Sequence, residues 1–141
     1  MIKIKMGKPM DKEGAVVVIL NENDETLILL RPAHAHWAPR KWGYPGGKME
    51  EGEHPTDTAI RETKEETQLV VTDLRPINLD SGKDGVENAS VWSYYTRNYQ
   101  GEVVIDHEHD DWVWVDNITI KNYPLAPGAA AMYDWAIKNG N

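Results

Sequence analysis

Residues 55–68 constrain the fold more than any other stretch of this chain. Pro55 opens them, and neither a glycine nor a second proline interrupts residues 56–68. Proline holds the backbone angle of a first helical position, so the pattern predicts a helix, with Ala59, Ile60 and Thr63 on its inward face. Apolar runs lie on both sides of it. Residues 15–20 (AVVVIL) and 26–30 (TLILL), separated by the turn-forming residues 21–25, read as a hairpin. Residues 31–42 carry neither period and predict a loop, and Pro45-Gly46-Gly47 predicts a tight turn that exposes backbone. Residues 69–79, 90–99, 102–105 and 112–115 are strand-like, with the glycine-containing segment 80–89 joining two of them. Pro127 introduces a second helix over about 128–138, whose Ala129, Met132, Tyr133 and Ala136 recur at core spacing before Asn139-Gly140 stops it. This order predicts an α+β fold, a mixed sheet with one helix on each side. At 141 residues and 40% hydrophobic content, one domain over 1–141 is the expectation.

Composition narrows the chemistry. The chain has no cysteine, which excludes disulfides, thiolate metal sites and cysteine nucleophiles. Its net charge of -8 argues against stable binding to nucleic acid or to an anionic membrane surface. A phosphate-bearing ligand can still bind where divalent cations stand between it and the carboxylates. The opening MIKIKMGKPM never builds the apolar run of a signal peptide or a membrane span, so a cytoplasmic location is expected.

The charge is concentrated. Glu50, Glu51, Glu53, Asp57, Glu62, Glu65 and Glu66 face only Arg61 and Lys64 as bases within residues 50–66. At about 100° per residue, Glu66 lies roughly 40° from Glu62 and Glu65 roughly 60° to its other side, so the three leave one sector of the helix. A solvated face with ion pairs is the plainer explanation of any one acidic helix. Here base does not match acid, and three glutamates in one sector repel unless a cation lies among them. Hard carboxylate oxygens select Mg²⁺, Mn²⁺ or Ca²⁺. Gly46 and Gly47 can bring bare carbonyls to the same place, and Arg61 can hold two carboxylates at once.

These residues resemble a known pattern. Gly47, then Glu53 after five residues, then after seven more Arg61-Glu62-Thr63-Lys64-Glu65-Glu66-Thr67-Gln68-Leu69, is similar to the Nudix box. Two positions depart from it: Thr63 stands where the family usually has an aliphatic residue and Gln68 where it usually has glycine. The resemblance implies the family's α/β/α sandwich and Mg²⁺-dependent hydrolysis, with Mn²⁺ an alternative ion, of a diphosphate bond in a small nucleotide. It also implies that Glu62, Glu65 and Glu66 ligate metal with the Gly46 carbonyl assisting, and that Arg61 supports them. The general base is left open between Glu53 and Glu108. Glu108 lies in Asp106-His107-Glu108-His109-Asp110-Asp111, ahead of a Trp-rich strand, and this segment resembles one in diadenosine tetraphosphate hydrolases. Two histidines two apart, without further imidazole or thiolate, do not make a zinc site.

In the loop 31–42, Arg31 and Arg40 are candidates to grip a phosphate and Trp37 and Trp42 to stack a base. Three activities are open: hydrolysis of nucleoside triphosphates or dinucleoside polyphosphates, the same chemistry on ADP-ribose or a nucleotide sugar, and a silent nucleotide-binding module. The first is preferred, because every acidic box position is intact and Gly85 stands where the ADP-ribose subfamily is expected to have proline. Monomer and homodimer are both open. Glu65→Gln is expected to lose most turnover while remaining folded; near-normal steady-state rates in that variant would refute its assignment as a ligand.

Overall fold

A computed structural model describes residues 13–79 and 90–140. In chain order it contains β1 (Glu13–Ile19), β2 (Thr26–Leu30), β3 (Trp42–Gly43), β4 (Gly46–Lys48), α1 (Pro55–Thr67), β5 (Val70–Thr72), β6 (Arg75–Pro76), β7 (Ser90–Thr96), β8 (Asn98–Gln100), β9 (Asp111–Val115) and α2 (Ala129–Asn139). The expectations for the N-terminal segment 1–10, for Gly85 and for the connection 80–89 lie outside the described residues.

β1 organises the molecule because it is apolar on both faces. Ala15, Val17 and Ile19 join Leu27, Leu29, Ala59, Leu69 and Val71 in one core under α1. Val18 and Leu20 point the other way, to Ile28, Val115, Tyr133 and Ala136 in a second core under α2. Successive strand side chains alternate in direction, so a continuous apolar run makes sense only for a strand covered on both sides. The result is the expected layer of mixed strands between two helices, divided among the described residues into sheets of four, three and two strands. β1 runs parallel to β7 and antiparallel to β4, while β2 pairs antiparallel with β3 and β9.

Three local expectations need correction. β1 and β2 do not form a hairpin ladder: they meet in one bridge, Leu20 to Thr26, and then enter different sheets. The turn between them is as the residues require, with Asn21 Oδ1 accepting the N–H groups of Asn23 and Glu25 at 2.9 Å each. Secondly, Pro45-Gly46-Gly47 is no tight turn, because Gly46 and Gly47 belong to β4. Bare backbone lets that strand press between β1 and α1: a Cβ on Gly46 would collide with the Ala15 carbonyl and Val16 Cα. Thirdly, residues 102–105 form no strand. Val104 N–H donates to the Thr67 carbonyl at 2.9 Å and Asp106 N–H to the Glu66 carbonyl at 3.2 Å. The segment thus satisfies carbonyls at the end of α1 in place of a ladder.

The two departures from the Nudix box have visible costs. Gln68 ends α1 in the left-handed conformation at φ 66°, where glycine would be unstrained. Thr63 is fully buried, and its Oγ1 has no hydrogen-bond partner among the described residues. Burying an unpaired hydroxyl costs about 1–3 kcal/mol. Thr63→Val, which keeps the shape and removes that hydroxyl, is expected to raise stability by about 1 kcal/mol in urea unfolding. A loss of stability would mean that the hydroxyl is satisfied.

Candidate functional site

The site is assembled where β4 meets the last turns of α1, with the loop between them folded back along the helix. His54 caps the helix, its Nδ1 accepting the Thr56 N–H at 3.1 Å, and Pro55 occupies the first turn. Just before the cap, Glu53 takes Arg61 in a two-pronged ion pair, with Nε at 2.8 Å from Oε2 and Nη2 at 3.0 Å from Oε1. The Thr58 hydroxyl at 2.7 Å and the Glu50 N–H at 3.0 Å complete its partners. Hydrogen bonding to Arg61, then to Glu50 and Thr58, holds the Glu53 carboxyl down at about 2. Arg61 Nη1 also donates to Glu62 Oε2 at 3.0 Å and reaches Glu65 Oε2 at 3.4 Å, while Nη2 donates to the Lys48 carbonyl at 3.2 Å. One guanidinium thus ties the end of β4 and Glu53 of the following loop to Glu62 and Glu65 of the helix.

Glu66 is the most enclosed of the acids, only 7% exposed. Its Oε1 accepts the Gly46 N–H at 3.0 Å. That donor is available for a reason of register: Val17 bonds Pro45 and Met49 bonds Glu13, so the antiparallel alternation turns the amide and carbonyl of Gly46 away from β1. Burial, opposed by the Gly46 N–H and reinforced by the charges of Glu62 and Asp106, pushes the Glu66 carboxyl up to about 9. Burial also raises Glu62, against the pull of Arg61. Glu62 lies across Gly47, where any Cβ would collide with its carboxylate. The close approach of bare backbone to the acids, expected from Gly46 and Gly47, is therefore present.

The convergence of all three glutamates is not. Glu62 and Glu66 adjoin, but the Glu65 side chain is 56% exposed and turned toward Arg61. Among the described residues no three acidic or imidazole side chains form a ready-made cage. The donors do fit a hard cation in kind. One buried and one half-buried carboxylate, both raised by desolvation, with an outward-facing carbonyl beside them, are hard oxygens whose repulsion a divalent ion would relieve.

Two loops border this cluster. Arg31 donates from Nε to the Trp37 carbonyl at 2.7 Å and lies 5.2 Å from the centre of the Trp37 ring, which is 47% exposed. Burial lowers the Arg31 pKa, opposed by the charges of Glu66 and Glu108, so this arginine stands within the field of both acids. Arg40 pairs with Asp110 at 2.9 Å, joining the loop after β2 to the loop before β9. Trp42 departs from the expectation that it stacks a base: it is buried in the second core, edge-on to Tyr123 at 5.1 Å. Strand pairing of β3 with β2 turns it inward. Glu108 is largely exposed, on a loop whose Asp106 and His109 are bonded at 3.0 Å. Sequence reasoning passed over Asp106, which shares its run with three more acids and has no periodicity to distinguish it.

The family model for the NUDIX domain matches residues 10–136. The chain is 34% identical over 125 residues to the Nudix hydrolase YvcI of Bacillus subtilis, covering 85% of this chain and 76% of that one. It is 33% identical over 113 residues to the 8-oxo-dGTP diphosphatase of Escherichia coli, covering 79% of this chain and 87% of the other. In fold it is similar to the NUDIX domain of Shewanella oneidensis NrtR, solved with ADP ribose, at a TM-score of 0.78 and 18% identity over 99% of this chain and 94% of that one. A MutT structure studied in Aliivibrio salmonicida and Vibrio cholerae matches at a TM-score of 0.73 and 22% identity, over 90% and 98% of the respective chains. With the box residues gathered between β4 and α1, and this match over nearly its whole length, the chain belongs to the Nudix family of pyrophosphohydrolases.

Proposed function

We propose that this Nudix hydrolase cleaves a diphosphate bond in a nucleoside triphosphate or dinucleoside polyphosphate, using Mg²⁺ held at Glu62, Glu66 and the Gly46 carbonyl, with Glu65 swinging in from Arg61. The observation that carries the reading is the pair of buried Glu66 and half-buried Glu62 against the bare backbone of β4 in a chain of net charge -8. Bound divalent ions supply Lewis-acid polarisation of the phosphoryl oxygens and lower the pKa of water. The chain's own residues do the rest. Arg61, fixed by Glu53, keeps Glu62 and Glu65 from splaying. Arg31, within the field of Glu66 and Glu108, is assigned to phosphate oxygens, and the exposed Trp37 ring to a base.

Of the two candidate bases, the geometry favours Glu108. Glu53 is saturated with donors and held at about 2, which makes it a poor proton acceptor near neutrality. It serves better as the tether of Arg61. Glu108 is exposed, on the loop whose Asp106 N–H bonds the Glu66 carbonyl at 3.2 Å, and its carboxylate has no comparable set of donors among the described residues.

Relatives support the substrate class. The Escherichia coli relative is an 8-oxo-dGTP diphosphatase, and a Caenorhabditis elegans relative, 30% identical over 98 residues, is an asymmetrical bis(5'-nucleosyl)-tetraphosphatase. Incubation with Mg²⁺ and a panel of nucleoside triphosphates, dinucleoside polyphosphates and ADP-ribose, with products resolved by chromatography, is expected to give nucleoside monophosphate and pyrophosphate from a triphosphate, or asymmetric cleavage of a dinucleoside polyphosphate. AMP and ribose phosphate from ADP-ribose alone would overturn the substrate reading.

The acids also predict a pH dependence. Glu66 titrates at about 9 in the folded chain against about 4.3 when unfolded, so the folded state holds a proton that the unfolded state has lost. Metal-free protein should therefore lose thermal stability as pH rises from 5 toward 9. Glu53 acts in the opposite sense, losing its contribution only as pH falls from about 4.3 toward about 2, so the two windows do not overlap. Added Mg²⁺ should flatten the upper slope by taking the proton's place, and Glu66→Gln should abolish it. A slope unchanged in that variant would dismiss Glu66 as its source.

A further inference from the structure

The loop before β9 contains an arrangement that the proposed chemistry has not used. His109 is 7% exposed and Asp106 19%, and His109 Nδ1 lies 3.0 Å from Asp106 Oδ1. An ionised carboxylate can only accept, so the imidazole donates from Nδ1. The same Oδ1 accepts the Glu108 N–H at 3.2 Å. Asp106 N–H donates to the Glu66 carbonyl at 3.2 Å, and Asp110 N–H to the Leu30 carbonyl at 2.9 Å. The loop is therefore fastened to α1 at one end and to β2 at the other, and braced between them by one aspartate. Glu108 itself, 69% exposed, has little side-chain support. Its place is set by the backbone that Asp106 and His109 hold.

We propose that Asp106 and His109 are a positioning pair for the hydrolytic reaction: their hydrogen bond locks residues 106–110 between the end of α1 and β2 and so fixes the backbone that presents Glu108. The inference rests on the reading of Glu108 as the base. A general base contributes about 10²–10⁴-fold, and misplacement by an ångström can forfeit much of that. Brace and base should therefore act as one unit.

The test compares kcat and KM of the full chain with Mg²⁺ and the panel nucleotide turned over fastest, alongside amide hydrogen exchange at Glu108. Glu108→Gln should lower kcat about 100-fold. Asp106→Ala should lower kcat about 10-fold with KM within about twofold, and speed exchange of the Glu108 amide. Asp106→Asn, which keeps the Oδ1 acceptor, should recover to within about threefold of the parent. The double variant Asp106→Ala, Glu108→Gln should be no slower than Glu108→Gln alone. An Asp106→Asn as slow as Asp106→Ala would show that charge, not the hydrogen bond, is needed, and additive losses would show that Asp106 does not act through Glu108. Either overturns the pair, as does unchanged amide exchange in Asp106→Ala. A normal rate in Glu108→Gln overturns the base itself, and with it any need to position it.

Discussion

Everything that makes the acidic end of this molecule more than a charged surface depends on one contact, the hydrogen bond from Gly46 N–H to Glu66. It joins a strand to a helix at a distance that no larger residue would permit. Because β4 approaches so closely, Glu66 is taken out of water and Glu62 is laid over Gly47. A carboxylate so placed needs a proton or a cation, and among the described residues one backbone amide, that of Gly46, donates to it. The buried acids are thus a demand for positive charge built by backbone geometry.

Arg61 meets part of that demand without satisfying it. Its firmest bonds go to Glu53, outside the helix, so it acts as a strut between the loop after β4 and the helix face. Glu62 and Glu65 share what remains of its guanidinium. This division explains the asymmetry among the carboxylates: Glu53, which Arg61 grips most firmly, is held ionised, and Glu66, out of its reach, is the one whose ionisation burial opposes most.

Much of this could be read in the residues, and the failures have physical causes. The helix over 55–68 was legible because Pro55 and an unbroken helical period are local signals. Its acids could be placed in one sector because angle follows from spacing. Which way each side chain turns does not follow from spacing alone: Glu65 takes the ion pair with Arg61 that the plainer reading of the helix allowed, four residues apart, and not the cluster with Glu62 and Glu66. The hairpin reading of β1 and β2 failed because a turn specifies reversal and not pairing; each strand takes a long-range partner, β7 for β1 and β9 for β2, that no local signal names. Residues 102–105 had strand composition, yet their amides answer the carbonyls at the end of α1. Trp42 was misread for a similar reason, since a tryptophan in a polar loop and one that begins a strand have the same neighbours in sequence.

The alternating side chains of β1 separate the molecule into an α1 side, which carries the acids, and an α2 side built from Trp42, Tyr123, Tyr133 and their neighbours. β2 is divided in the same way, with Leu27 and Leu29 on the α1 side and Ile28 on the other. A change of volume behind β1 or β2 therefore reaches the acids only through strand backbone, which the hydrogen-bonded registers of both strands hold in place.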